Sequence, residues 1–299
     1  MLTPLKTALA TLFFTIPLLT YSATPSPTPR NISTDDIPTL KIGDAPETEN
    51  PAPQKPQTQP AAATPATPAA TTSSSNTDKP SQLLWDAWFT VAIGGTERYQ
   101  YYNERVEIRG NRIFFQYQSW KNEEGFINEE QLGAVSEKNA DLTPVFFNYH
   151  SSMKNSELTI DGTVSEGKYI TTKIRKTGVE LPPSKRALPQ KMIWSQFFPV
   201  WLGLKLSSLK QGQGGAFLAF AEDSADPNAG IEKGLLRLEK PDDRAQRTKT
   251  KRLLIDFRGN KSVWWVEPNG CVLRIELPKQ NAVVQRVSQA EAKKFFESQ

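Results

Sequence analysis

A single cysteine, Cys271, and a single histidine, His150, stand in a chain of 299 residues. One cysteine permits no intramolecular disulfide, even in an oxidising compartment. One of each excludes a thiolate or multi-histidine metal cluster of the usual kinds. Stability therefore has to come from packing. Aromatic residues are missing from one long stretch: residues 24–80 contain no Phe, Trp or Tyr, but hold about a dozen of the 23 prolines and many Ala, Thr and Ser. Such a segment cannot bury enough apolar surface to offset the entropy lost on ordering. It reads as a disordered, partly polyproline-like linker, averaging roughly 40 Å end to end as a flexible coil.

Long hydrophobic runs are also lacking. The longest, Thr7–Leu19, falls short of the ~20 apolar residues that span a bilayer, and Pro17 weakens it as a helix. It follows the positive Lys6 and precedes the small-residue stretch Thr20-Tyr21-Ser22-Ala23, the three-part layout of a secretory signal. Residues 1–23 are therefore expected to be a cleaved signal peptide, an uncleaved inner-membrane anchor being the alternative. No cysteine follows the run, so no bacterial lipidation site is expected. The implied location is the periplasm, with no stable transmembrane segment after cleavage.

What remains, 81–299, is long enough for a substantial core, and all seven tryptophans lie in it. The first eighty residues hold 5 basic and 6 acidic residues, leaving 31 and 26 beyond them. That mild excess is too small to imply nucleic acid.

The body reads mainly as strands. In "NRIFFQYQSW", Ile113, Phe115 and Tyr117 alternate with Gln116 and Gln118, and Gly110-Asn111 before this run suits a hairpin turn. "LWDAWFTVAIGG", "SELTIDGTV", "KYITTKIRKTG", "GGAFLAFAED", "KGLLRLEK" and "KRLLIDFRG" follow the same pattern at spacings of antiparallel β-architecture. Two segments differ. "PQKMIWSQFFPVWLGLKL" steps Ile193, Phe197, Trp201 and Leu204 at helical spacing, with Pro199 expected to kink or divide it. "SQAEAKKFFESQ" opens with Ser288 and Glu291 at capping-box spacing, and Phe295 is available to bury. The expected fold is mainly β: a curved antiparallel sheet, an open half-barrel, packed on one amphipathic helix, with a short C-terminal helix.

Chemistry-bearing residues are sparse. His150 has no partner at catalytic spacing, and Cys271 reads as a small buried hydrophobe. "EDSADPNAGIE" gathers Asp226, Asn228 and Glu232 into a weak calcium candidate that fails the EF-hand spacing. Glu123, Glu124, Glu129 and Glu130 read as solvated loop carboxylates rather than a glycosidase pair. The basic run "RAQRTKTKRLL" reads as a strand edge protected by Lys249 and Lys251, or as a patch for an envelope polyanion. The densest feature is aromatic. Trp194, Phe198, Trp201 and Trp264 are the candidate lining of a cavity between helix and sheet; if the helix closes the sheet face, no cavity remains.

On "WDAWFTVAIGG", "LTPVFFNYHSS", "SVWWVEPNGCVLRIEL" and "RVSQAEA", the stretch 85–299 resembles a family of uncharacterised exported bacterial β-domains. Their architecture is similar to the half-barrel of the LolA/LolB-type lipoprotein carriers. The resemblance implies a curved antiparallel sheet wrapped around a helix and transfers no catalytic residue. The resulting expectation is a non-enzymatic envelope domain, without a cofactor. It would bind an apolar or lipid-like envelope component, or an envelope protein, in the concavity of its sheet. The alternatives are an adaptor whose linker spans the cell wall and a carboxylate-dependent hydrolase.

Overall fold

The computed structural model describes residues 81–95, 97–123, 126–226 and 230–297. The expected signal peptide and linker lie outside the described residues, as do Glu124 and Asn228 and the side chain of Phe295. Sixteen strands form one sheet. Nine come first: β1 (Gln82–Ile93), β2 (Glu97–Arg109), β3 (Arg112–Glu123), β4 (Phe126–Glu137), β5 (Pro144–Met153), β6 (Ser156–Ser165), β7 (Tyr169–Lys176), β8 (Val179–Glu180) and β9 (Ser184–Ala187). After a loop follow β10 (Met192–Trp194), β11 (Gly214–Phe220), β12 (Ile231–Leu238), β13 (Lys251–Phe257), β14 (Asn260–Val266), β15 (Val272–Leu277) and β16 (Ala282–Val287). The spatial order runs from β10 to β16, then from β1 to β8, with β9 paired to β7. Every pairing is antiparallel except β10 with β11. The sheet is open and curved, as its alternating sequence predicts.

The two meanders meet at one seam, where β1 lies against β16 in the register Trp88 opposite Val287 to Ile93 opposite Ala282. Along β1 the residues Trp85, Ala87, Phe89 and Val91 are buried on the core face, while Asp86 and Trp88 point outward, as period-two alternation requires.

The helical segment is divided more finely than its spacing suggests. Met192–Trp194 forms β10, Ser195–Phe197 a 3₁₀ turn, and Phe198–Lys205 the helix α1. Pro199 opens α1 in its first turn instead of kinking it, a position where the missing N–H costs nothing. The side chain of Glu222 holds the 3₁₀ turn that precedes α1, accepting the N–H groups of Ser195 and Gln196 and the Ser195 hydroxyl. The helix lies inside the curl of the sheet and is apolar on most of its circumference, with Phe198, Pro199, Val200 and Leu202 buried. It docks on the turn before β15 through two glycines. A Cβ on Gly203 would lie 2.2 Å from the Asn269 carbonyl oxygen, and one on Gly270 would lie 2.1 Å from that of Pro199.

Three other readings change. Glu129 and Glu130, read as loop carboxylates, lie on strand β4, paired on both sides with β3 and β5. The basic run contains a short helix, α2 (Asp243–Thr248), N-capped by Asp242, whose Oδ1 accepts the Ala245 N–H at 2.8 Å. Lys249 sits in the left-handed conformation that ends α2, so it shares no strand face with Lys251. "NAVVQRVS" supplies β16, which its brevity had concealed. At the C-terminus, α3 (Gln289–Glu297) begins as expected, with the Ser288 hydroxyl accepting the Glu291 N–H at 3.1 Å.

Candidate functional site

The four aromatic candidates are placed as interior packing. Trp194, Phe198 and Trp264 are at most 2% exposed, and only Trp201 keeps partial exposure. Phe198 stacks on Trp201 with centroids 5.9 Å apart and meets Trp264 edge-on at 5.6 Å. Trp194 packs against Phe147 and Phe220, and its indole N–H donates to the Val135 carbonyl at 2.9 Å. Helix α1 thus fills the space beneath β11–β14, and a ligand lining these rings would have to displace it.

Of the calcium candidates, Asp226 is exposed and Glu232 pairs with Arg258 at 3.1 Å. Asp223 meets the same guanidinium at 3.2 Å. Among the described residues, no group of three or more His, Cys, Asp or Glu is placed to hold a metal ion. Glu129 and Glu130 are consecutive on β4 and therefore face opposite sides of the sheet, so they cannot share one substrate. His150 is partly buried beside Thr159, 3.3 Å from its hydroxyl.

The open site lies elsewhere, at the seam. Strand β16 pairs with β1 only from Trp88 onward, because the chain leaves the sheet at Ser288 to cap α3. Among the described residues, the opposite half of β1 pairs with β2 on one side and with no strand on the other, and α3 is the helix that packs against β1. A groove of about 790 Å³ opens there. Five consecutive residues, Leu84 to Trp88, line it. Successive strand side chains point to opposite faces, so a groove touching all five runs along the strand edge. The other lining residues are Glu267, Asn269 and Cys271 from the β14–β15 turn, Arg286 to Gln289 at and beyond the end of β16, and Asn103 and Arg105 of β2, which stand opposite Trp88 and Asp86.

The groove's charges are matched within its own walls. The Asn103 side-chain amide donates to Asp86 Oδ1 at 2.7 Å, and Arg105 meets Asp86 Oδ2 at 3.1 Å. Arg105 also binds Glu107, whose pKa falls to about 2 because Arg105, first, and Arg109 donate to it. Across the groove, Arg286 pairs with Glu267 at 2.6 Å and lies 3.4 Å from the Cys271 sulfur. Burial pushes the Cys271 thiol up to about 12, so it stays protonated and unreactive near neutrality.

Behind this wall lies a group the sequence did not flag. Glu104 stands opposite Ala87 on the core face and is only 7% exposed. Burial pushes its pKa up to about 8. Neither Trp85 Nε1 nor Glu104 Oε2 reaches a hydrogen-bond partner among the described residues. On the outer face, Trp88 is half-buried with its ring parallel to that of Trp120, 6.0 Å away, and Trp120 stacks in turn on Tyr101 at 5.5 Å. "WDAW" could have signalled an aromatic and a carboxylate on one outer face, but the gap beside them depends on where β16 ends.

No family model matches the chain, and no curated protein matches it. Among solved structures, a DUF1089 family protein from Pseudomonas aeruginosa is similar with a TM-score of 0.36 and 15% identity. The match covers 60% of this chain and 90% of that one.

Proposed function

We propose that this chain is a non-enzymatic binding domain of the bacterial cell envelope. It is exported by residues 1–23, carried on the linker 24–80, and takes an envelope component in the groove at the seam. The observation that supports this reading is the groove itself. Its volume lies within the roughly 300–1,000 Å³ usual for small-molecule sites, and its walls combine apolar and convergent polar groups. Its ionisable side chains are committed to one another, and its thiol is held protonated, so none stands ready as a nucleophile or base near neutral pH.

Native mass spectrometry after gentle extraction tests this reading, comparing the natural chain with Asn103→Trp, which obstructs the groove. A bound mass present in the former and lost in the latter supports it. An unliganded natural chain, or a bound mass indifferent to the substitution, overturns it. A co-purifying polypeptide in place of a small molecule assigns the chain to the adaptor role. Deleting residues 50–78 is expected to leave the melting temperature unchanged while impairing function that depends on reach; a lowered melting temperature contradicts the linker assignment.

A further inference from the structure

We infer that the groove is a saccharide site, and that its ligand is a neutral, polyhydroxylated chain. This rests on the groove being the binding site, and it specifies what binds there. The first ground is charge. Asp86 is matched by Arg105 and Glu267 by Arg286, all within the walls, so the groove presents neither a net cationic nor a net anionic field. A polyanion or a cation would have to compete with the partner each of these charges already has, and at the part-buried Glu267–Arg286 pair it would leave the other member uncompensated.

The second ground is the shape of the polar groups. Asp86, Asn103, Arg105, Glu267, Asn269 and Arg286 all end in planar carboxylate, amide or guanidinium groups. Such groups offer two hydrogen-bonding atoms side by side, two acceptors in a carboxylate, two donors in a guanidinium and one of each in an amide, matching hydroxyls on adjacent ring carbons. A hydroxyl both donates and accepts, so it can join an existing carboxylate–guanidinium pair without breaking it. The groups are also held in place beforehand. Asn103 donates to Asp86 and to the Ala87 carbonyl, and the Asn269 carboxamide oxygen accepts the Cys271 N–H at 3.0 Å. Less side-chain freedom is therefore lost when a ligand arrives.

The third ground is Trp88, whose half-buried indole stands beside Asp86 and Asn103 and is held parallel to Trp120. A flat ring edged by planar polar groups suits a pyranose, which has an apolar C–H face and a polar rim. An extended peptide could also reach the part of β1 that β16 leaves unpaired. Its alternate side chains, however, would cover the Asp86–Arg105 and Glu267–Arg286 pairs without supplying them hydrogen bonds, a desolvation cost with no return.

Full-length protein is titrated with an N-acetylglucosamine tetrasaccharide and with cellotetraose, and tryptophan fluorescence is followed. The expected result is saturable binding of at least one, with a Kd of order 0.1–1 mM, the scale of a shallow open site. Asp86→Ala and Trp88→Ala should each weaken it about tenfold or more at an unchanged melting temperature. Should Trp88→Ala lower the melting temperature by disturbing the Trp120 stack, Asn103→Ala supplies the independent test. No saturation by either sugar up to about 10 mM overturns the inference, as does equal binding by all the variants. If neither sugar binds while Asn103→Trp still abolishes the co-purifying mass, the groove remains a binding site and the ligand class is wrong. New amide protection over Leu83–Ala87 on adding a peptide would establish strand addition instead.

Discussion

Two buried glutamates give the stability a marked pH dependence. Glu104 and Glu222 are both buried, and burial raises the pKa of each from an ordinary carboxylate value to about 8. A carboxyl whose pKa is higher in the folded than in the unfolded chain is no burden below the unfolded value. As pH rises it ionises first in the unfolded chain, so stability falls from about pH 4.5 and levels off only above the folded pKa. At about 1.4 kcal/mol per unit, each group costs a few kcal/mol by pH 8. Urea unfolding followed from pH 5 to pH 9 should therefore show declining stability, and Glu104→Gln should flatten the curve and gain stability at its alkaline end. A curve unchanged by the substitution would place the pH dependence elsewhere. Glu222→Gln is the less favourable replacement. Its carboxyl receives the Ser195 and Gln196 N–H groups, and an amide has only one oxygen to accept them. Neither residue was legible in the sequence. Glu104 in "YNERVEIR" looks like any polar strand residue, and only the register placing it opposite Ala87 and Tyr117 shows that it points inward.

Between elements, α1 meets the β14–β15 turn backbone to backbone. Gly270 has φ +99° and its would-be Cβ falls on the Pro199 carbonyl, so Gly270→Ala meets both backbone strain and a backbone clash. Gly203→Ala meets the clash alone. Both should destabilise by about 2 kcal/mol or more, with Gly270→Ala the worse, as read from thermal or urea melts. Truncating the helix's anchor, Phe198→Ala, removes a ring packed against Phe217 at 4.3 Å and should cost about 3–5 kcal/mol. At this scale much was legible: period-two runs gave most strands, Gly110-Asn111 gave the β2–β3 turn, and Ser288 gave the start of α3. The failures have physical causes. β4 is masked because its outer positions, Glu129 among them, are polar and its inner face admits Asn128 and Glu130 beside Leu132. The 192–205 stretch reads as one helix because its apolar residues are nearly continuous, and a buried β10 cannot be told from a buried helix by periodicity.

For the whole molecule, the curved antiparallel sheet was readable because alternation and turn spacing are local signals. The groove was not, because it comes from the mismatch of two strand lengths at the seam: β1 spans twelve residues, whereas β16 spans six. The aromatic cluster was the natural sequence candidate for a binding surface, yet Trp194 and Phe198 are the rings that hold the two meanders together, through Phe147 on one side and Trp264 on the other.

That seam also orders events in time. The first strand of the domain completes its pairing only with the last, so synthesis must reach Val287 before β1 gains its second neighbour. Contacts of such long sequence separation form slowly, since the loop-closure entropy is lost before they are made. A chain emerging from a ribosome would therefore keep an unfinished edge until its final residues appeared. Nothing completes the sheet until the whole domain is present.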